Sequence, residues 1–214
     1  MRKIVVENKP YESNLSVLMK NVLGDYKMAI KDYDTTIRLK PSKTVLTFSY
    51  VKRGNAKLDN GDNIGAIEDY NEAIRLQPKS SVMLTVAYLN RGLARFNMGD
   101  TMGAIRDYSE VIRLKPKNVI LASAYVHRAA AKSKLGDTID AIKDYDDTIR
   151  LALENTDFAA YVYSKRATAK LEISDNIGAI EDSRTAIHLD PDIAEAYGTR
   201  DDAKSNLGNY AEAV

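Results

Sequence analysis

The sequence predicts an all-α protein built as a stacked array of about six helix-turn-helix hairpins, and three observations carry that prediction. First, a frame of the form G-D-x-x-x-A-I-x-D-Y-x-x-x-I-R-L-x-P recurs at Gly24–Pro41, Gly61–Pro78 and Gly99–Pro116. Looser copies stand at Gly136–Leu153 and Ser174–Pro191, and a sixth opens at Gly208. Second, the opening residues at 24, 61, 99, 136, 174 and 208 give intervals of 37, 38, 37, 38 and 34 residues, and a fixed period of this length marks a linear array. Third, apolar residues recur at helical spacing on both sides of each Gly-Asp pair.

The first unit, roughly 11–43, opens on a degenerate helix. Ser13 and Val17 stand where later units carry Tyr and a small residue, yet Leu15, Leu18, Val22 and Leu23 keep an apolar face. In the second unit (44–80), Leu46, Tyr50, Gly54 and Leu58 follow helical spacing. Gly61 supplies the left-handed residue that ends this helix, and the Asp62 carboxylate caps the next by accepting from its free amides. Arg75 suits the C-terminal dipole of that second helix, and Pro78 stops it. Units three (81–118), four (119–155) and five (156–193) repeat the plan with Asp100, Asp137 and Asp175 as caps, as Asp25 is in the first. The last (194–214) is incomplete. Asp201 replaces the small residue, Asn209 takes the cap, and Val214 falls barely two turns into the second helix. Val6–Pro10 faintly echoes Ile37–Pro41, a pattern that suits a piece of a longer array.

Composition narrows the function classes. With 31 Lys and Arg against 30 Asp and Glu, the near-zero balance argues against a generic nucleic-acid or anionic-membrane binder. There is no Cys, hence no disulfide framework or thiolate zinc site, which fits a reducing, cytoplasmic setting. The N-terminus has only three apolar residues together, too few for a signal sequence, and no run approaches the ~18 apolar residues of a membrane helix.

The residues of the frame resemble the tetratricopeptide repeats over about 11–214. The family's small residue in the first helix is matched by Gly54, Gly92, Ala129 and Ala167. Its Ala in the second is matched by Ala29, Ala66, Ala104, Ala141, Ala179 and Ala213, its aromatic by Tyr33, Tyr70, Tyr108 and Tyr145, and its Pro by Pro41, Pro78, Pro116 and Pro191. Small residues let antiparallel helices approach closely, while Tyr50, Tyr88, Tyr125, Tyr163 and Tyr197 fill gaps between hairpins. The resemblance implies a right-handed αα superhelix, one solenoid over 1–214, and partner binding rather than catalysis. The chain departs from the family's shorter period by inserts before four first helices: Thr44–Leu46, Ser81–Leu84, Val119–Leu121 and Thr156–Ala159. None contains Gly or Pro. Leu46, Leu84, Leu121 and Ala159 each precede a repeat Tyr by four residues, so the insert reads as an added helical turn that sets them on the same buried stripe.

Two charges recur: Arg53, Arg91, Arg128, Arg166 and Arg200 in first helices, and Asp32, Asp69, Asp107, Asp144 and Asp182 in second helices. Because each carboxylate repeats with its own cation, the reading is an internal ladder of ion pairs, not paired carboxylates for acid-base work. His127 and His188 lie in different units without a second ligand at metal spacing. No catalytic residue, metal or cofactor is expected.

The resemblance places partner binding on the concave face lined by first helices. Those residues are Phe48, Val51, Lys52 and Asn55; Val86, Leu89, Asn90 and Leu93, with Phe96; Val126 and His127; and Tyr161, Lys165 and Thr168. One subgroup of the family grips a terminal carboxylate with Lys and Asn. Here Asn55 and Asn90 match the Asn places, but Val51 replaces the Lys, and Ser123 and His127 replace the last pair, which disfavours that clamp. The inserts add Val45, Met83, Ile120 and Phe158 to an apolar lower wall, suited to an amphipathic helix or an apolar peptide. The expected partner is a protein or peptide, with self-association through open solenoid ends as the alternative, and no nucleic acid or membrane. Three residues past each turn, Ile64, Met102, Ile139 and Ile177 form an apolar row; it could serve as a lateral strip for self-association, but is expected to pack locally against the adjacent first helix.

Overall fold

A computed structural model of the chain describes residues 26–40, 42–77, 81–151 and 156–212. These are helical throughout, with short turns. Helix α1 covers 26–38, followed by α2 (Lys43–Asp59), α3 (Asn63–Arg75), α4 (Ser81–Asn97), α5 (Thr101–Arg113), α6 (Asn118–Lys134), α7 (Thr138–Leu151), α8 (Thr156–Glu172), α9 (Asn176–Leu189) and α10 (Ala194–Glu212). They fall into two compact units, Met1–Lys79 and Ser80–Val214. The degenerate first helix, the Gly24 turn, the Asp25 cap, and Pro41 and Pro78 lie outside the described residues.

The local chemistry of each hairpin follows the repeated frame. Gly61, Gly99 and Gly136 take positive φ (82°, 85° and 85°) at the turn between helices, and Ser174 takes the same conformation at 65° without being Gly. One residue later, Asp62, Asp100 and Asp175 accept from the amides of Gly65, Gly103 and Gly178 at 2.9, 2.9 and 3.0 Å. These capping bonds satisfy donors that a helix start otherwise leaves open.

In the second unit α4 pairs with α5, α6 with α7 and α8 with α9, each second helix packs on the next first helix, and α8 also meets α10. The core between them is made of small residues: Ala104, Ala129, Ala141, Ala167 and Ala179 are fully buried, with Tyr108 and Tyr145 as the large members. Close approach explains the choice. A Cβ on Gly92 would stand 2.7 Å from the Tyr108 ring, inside contact distance.

The inserted residues are helical, and α2, α4, α6 and α8 are each 17 residues long against 13 or 14 for α3, α5, α7 and α9. Leu46, Leu84, Leu121 and Ala159 are only half-buried, however, and the fully buried stripe of the added turn runs one residue later, through Thr47, Thr85, Ala122 and Ala160. Short side chains there let neighbouring helices close, and the longer ones lie at the margin. The sixth hairpin is not formed as expected, since α10 continues through Gly208 to Glu212. The few residues after Gly208 hold too little apolar surface to pin a second helix against the first, and helical hydrogen bonding continues instead.

Candidate functional site

Each complete hairpin is tied by one buried carboxylate. Asp107 of α5, 2% exposed, accepts two hydrogen bonds from Arg91 of α4 at 2.9 and 2.6 Å and a third from Arg95 at 2.8 Å. Asp144 accepts from Arg128 at 2.9 and 2.7 Å and pairs with Lys132 at 2.8 Å. Asp182 accepts from Arg166 at 2.7 and 2.6 Å and pairs with Lys170 at 2.9 Å. In the first unit Asp69 holds Arg53 and Lys57 in the same way. That pairing raises the Arg53 guanidinium above its ordinary value, against the cost of burial. Each Arg also lies over the Tyr three residues before it, 5.3 to 5.5 Å from the ring centroid in Arg91–Tyr88, Arg128–Tyr125 and Arg166–Tyr163.

This is the expected ladder with a second rail. Lys57, Arg95, Lys132 and Lys170 follow the repeat Arg by four residues, a spacing that sets both cations on one helix face. A carboxylate held by a bidentate fork and a second cation is fully committed to structure. The ladder has exceptions: Asp32 is exposed and Asp34 reaches Arg53 instead, at 2.5 Å. Arg200 stacks over Tyr197 and pairs with Asp201 at 3.3 Å.

The first helices present a more varied surface. In the first unit Phe48 and Lys52 are exposed, with the ammonium 5.5 Å from the ring centroid, and Asn55 accepts from the Tyr70 hydroxyl at 2.9 Å. In the second, Val86, Leu89, Asn90 and Leu93 are half-buried, and Leu89 and Phe96 pack on Ala104, Tyr108 and Ala131. His127 stacks on Tyr108 with centroids 5.6 Å apart, and burial lowers its pKa from the usual imidazole value.

Tyr161, Lys165 and Thr168 of α8 line an open cavity of about 270 Å³ with Ser133, Tyr145, Glu172 and Glu195. Lys165 donates to both oxygens of Glu195 at 3.0 and 2.7 Å and lies over the Tyr161 ring at 5.5 Å. Glu172 accepts from the Thr138 hydroxyl at 3.1 Å. The cavity thus combines an aromatic face, hydroxyls and two carboxylates against one ammonium.

Residues 49–80 and 86–118 each match a model of the tetratricopeptide repeat. These two stretches of the chain are tetratricopeptide repeats. Among solved structures this tetratricopeptide array is similar to MamA, with 24% identity and a TM-score of 0.66 over 78% of this chain and 85% of that one. It is similar to YrrB, described as a TPR protein with an unusual peptide-binding site, at 15% identity and a TM-score of 0.68 over 88% and 89%. It also resembles the first TPR of Spaghetti bound to an HSP90 peptide, at 22% identity and a TM-score of 0.52 over 58% and 93%. At these identities the likeness is one of fold. The sequence has no match among the curated proteins compared with it.

Within the tetratricopeptide frame, several expected surface residues belong to the core. Val51 and Val126 are 1% and 5% exposed and offer nothing to a partner. Val126 shares a cluster with Val162 and Ala169 of α8, so the following first helix covers it. Phe158 packs on that same cluster, and Met83 and Ile120 are half-buried, while Val45 is exposed. The apolar lower wall is therefore absorbed into helix packing at Phe158. The row expected to pack locally is exposed instead: Ile64, Met102, Ile139 and Ile177 stand 55 to 64% open. Side chains lean toward a helix's N-terminus, and at the second residue of a helix that direction leads past the turn into solvent. Among the described residues no three His, Cys, Asp or Glu side chains are grouped to hold a metal, and no helix is long and apolar enough to cross a membrane.

Proposed function

We propose that the protein is a cytoplasmic binding scaffold rather than an enzyme, working as one solenoid over 1–214 that holds a peptide or helical segment of another protein. The observation that carries this reading is the open cavity of α8. Tyr161 and Lys165 are accessible there, with Thr168 and Glu195 fixed beside them. Support comes also from the peptide-bound state of the Spaghetti structure and the peptide-binding site ascribed to YrrB. The partner-facing set is Phe48, Lys52 and Asn55 in the first unit and Val86, Leu89, Asn90, Leu93, His127, Tyr161, Lys165 and Thr168 in the second. Because Glu172 and Glu195 outnumber Lys165, the cavity suits a partner's Arg or Lys lying on the Tyr161 face. With its charge balance near neutral, the chain is not expected to take nucleic acid or an anionic membrane.

Selection from a random peptide display library tests the reading. The expected result is peptides sharing a basic residue, whose binding falls at least tenfold with Tyr161→Ala and with Glu195→Gln. Recovery of no binders, or binders indifferent to both substitutions, overturns it.

A further inference from the structure

The second unit carries another surface, on the edge formed by its turns. Immediately before each turn residue stand Met98, Leu135 and Ile173, and three residues past it stand Met102, Ile139 and Ile177; all six are exposed, by 44 to 64%. Adjacent turns are joined side by side. Thr138 donates to Glu172 at 3.1 Å, which sets Ile139 next to Ile173, and Asn206 donates to Asn176 at 3.1 Å one hairpin further on. Lys134 lies over the Phe96 ring at 4.7 Å, which brings the third and fourth turns together. The six side chains therefore form one continuous apolar row. At about half exposure each, they present on the order of 600 Å² of apolar surface, the upper end for a patch on a monomer.

We propose that this edge pairs with the same edge of a second copy of the chain, about a twofold axis through Leu135 and Ile139. Two such rows bury on the order of 1,200 Å², the lower range of specific interfaces. An even row is self-matching: in the antiparallel arrangement the fourth hairpin faces itself, and the third faces the fifth. The flanking charges fit that arrangement. One helical turn beyond Met102, Ile139 and Ile177 lie Arg106, Lys143 and Glu181, all exposed. The twofold sets each Arg106 opposite the second copy's Glu181, and Lys143, which meets its own copy at the axis, is already paired with Asp140 of its own helix at 2.8 Å. An isologous contact of this kind closes as a dimer.

Sedimentation equilibrium across a hundredfold concentration range reads the result. Wild type should double in mass, and the double variant Ile139→Glu, Ile177→Glu should stay monomeric with unchanged helicity, because both side chains are exposed. A second arm uses the absence of cysteine. Ile139→Cys alone should form a disulfide-linked dimer on mild oxidation. Met102→Cys should not link to itself but should link to Ile177→Cys in a mixture. A wild type that remains monomeric, a glutamate variant that still dimerises, or self-linking of Met102→Cys as efficient as that of Ile139→Cys overturns the proposal.

Discussion

At Asp107 three hydrogen bonds from two guanidinium groups converge on one carboxylate that water barely reaches. Replacing it with Asn keeps the shape and removes the charge, taking from the half-buried Arg91 and Arg95 the carboxylate they share. Breaking a buried pair from one side costs about 3 kcal/mol, so Asp107→Asn should lower unfolding stability by about that amount in urea titration; an unchanged midpoint would refute the ladder as a source of stability. His127 acts in the opposite sense. Its folded pKa is depressed by burial, so just below the usual imidazole value the unfolded chain binds more protons than the folded one. Stability then falls as pH drops from about 7 toward 5. In His127→Gln the difference in unfolding midpoint between those two pH values should shrink, and an equal difference would show that other groups carry it.

Among the elements, the turns expose the clearest tension between local chemistry and fold. Ser174 adopts φ of 65° where Gly61, Gly99 and Gly136 stand at the other described turns. The left-handed conformation costs a residue with a Cβ about 1–2 kcal/mol, and a Gly returns about 0.4–1 kcal/mol of that through added freedom in the unfolded chain. Ser174→Gly should thus stabilise the protein modestly, by about 0.5–1 kcal/mol, seen as a raised thermal midpoint; a lowered midpoint would mean the Ser side chain contributes something the turn geometry does not reveal. The hairpins, caps and added turns were legible in the sequence because each depends on a short stretch of chain: Gly61 and Asp62, Gly99 and Asp100, an insert free of breakers. The binding surface expected on the first helices was legible only in part. Val126 and Phe158 are covered by contacts across helices, which a repeat register does not specify, whereas Tyr161 and Lys165 stay open. The turn-edge row was half-seen, at Met102, Ile139 and Ile177. Its other half, Met98, Leu135 and Ile173, lies four residues earlier across the turn, where helical periodicity is interrupted.

For the whole molecule, stability should follow from hairpins and their nearest neighbours rather than from one central core. The second unit has its own buried clusters, around Tyr108 and around Tyr145. Residues 80–214 expressed alone should retain helical circular dichroism and a cooperative unfolding transition, and a broad, non-cooperative melt would show that this unit depends on the first.

The placement of the charges has an evolutionary consequence. Asp107, Arg91 and Arg95 all belong to one hairpin, as do Asp144, Arg128 and Lys132, and Asp182, Arg166 and Lys170. Duplicating or deleting a whole hairpin keeps every buried carboxylate with its cations, whereas a break between the two helices strands a charge inside the protein. Such a chain can lengthen or shorten by inheritance in steps of one complete hairpin, and electrostatics sets the size of the step.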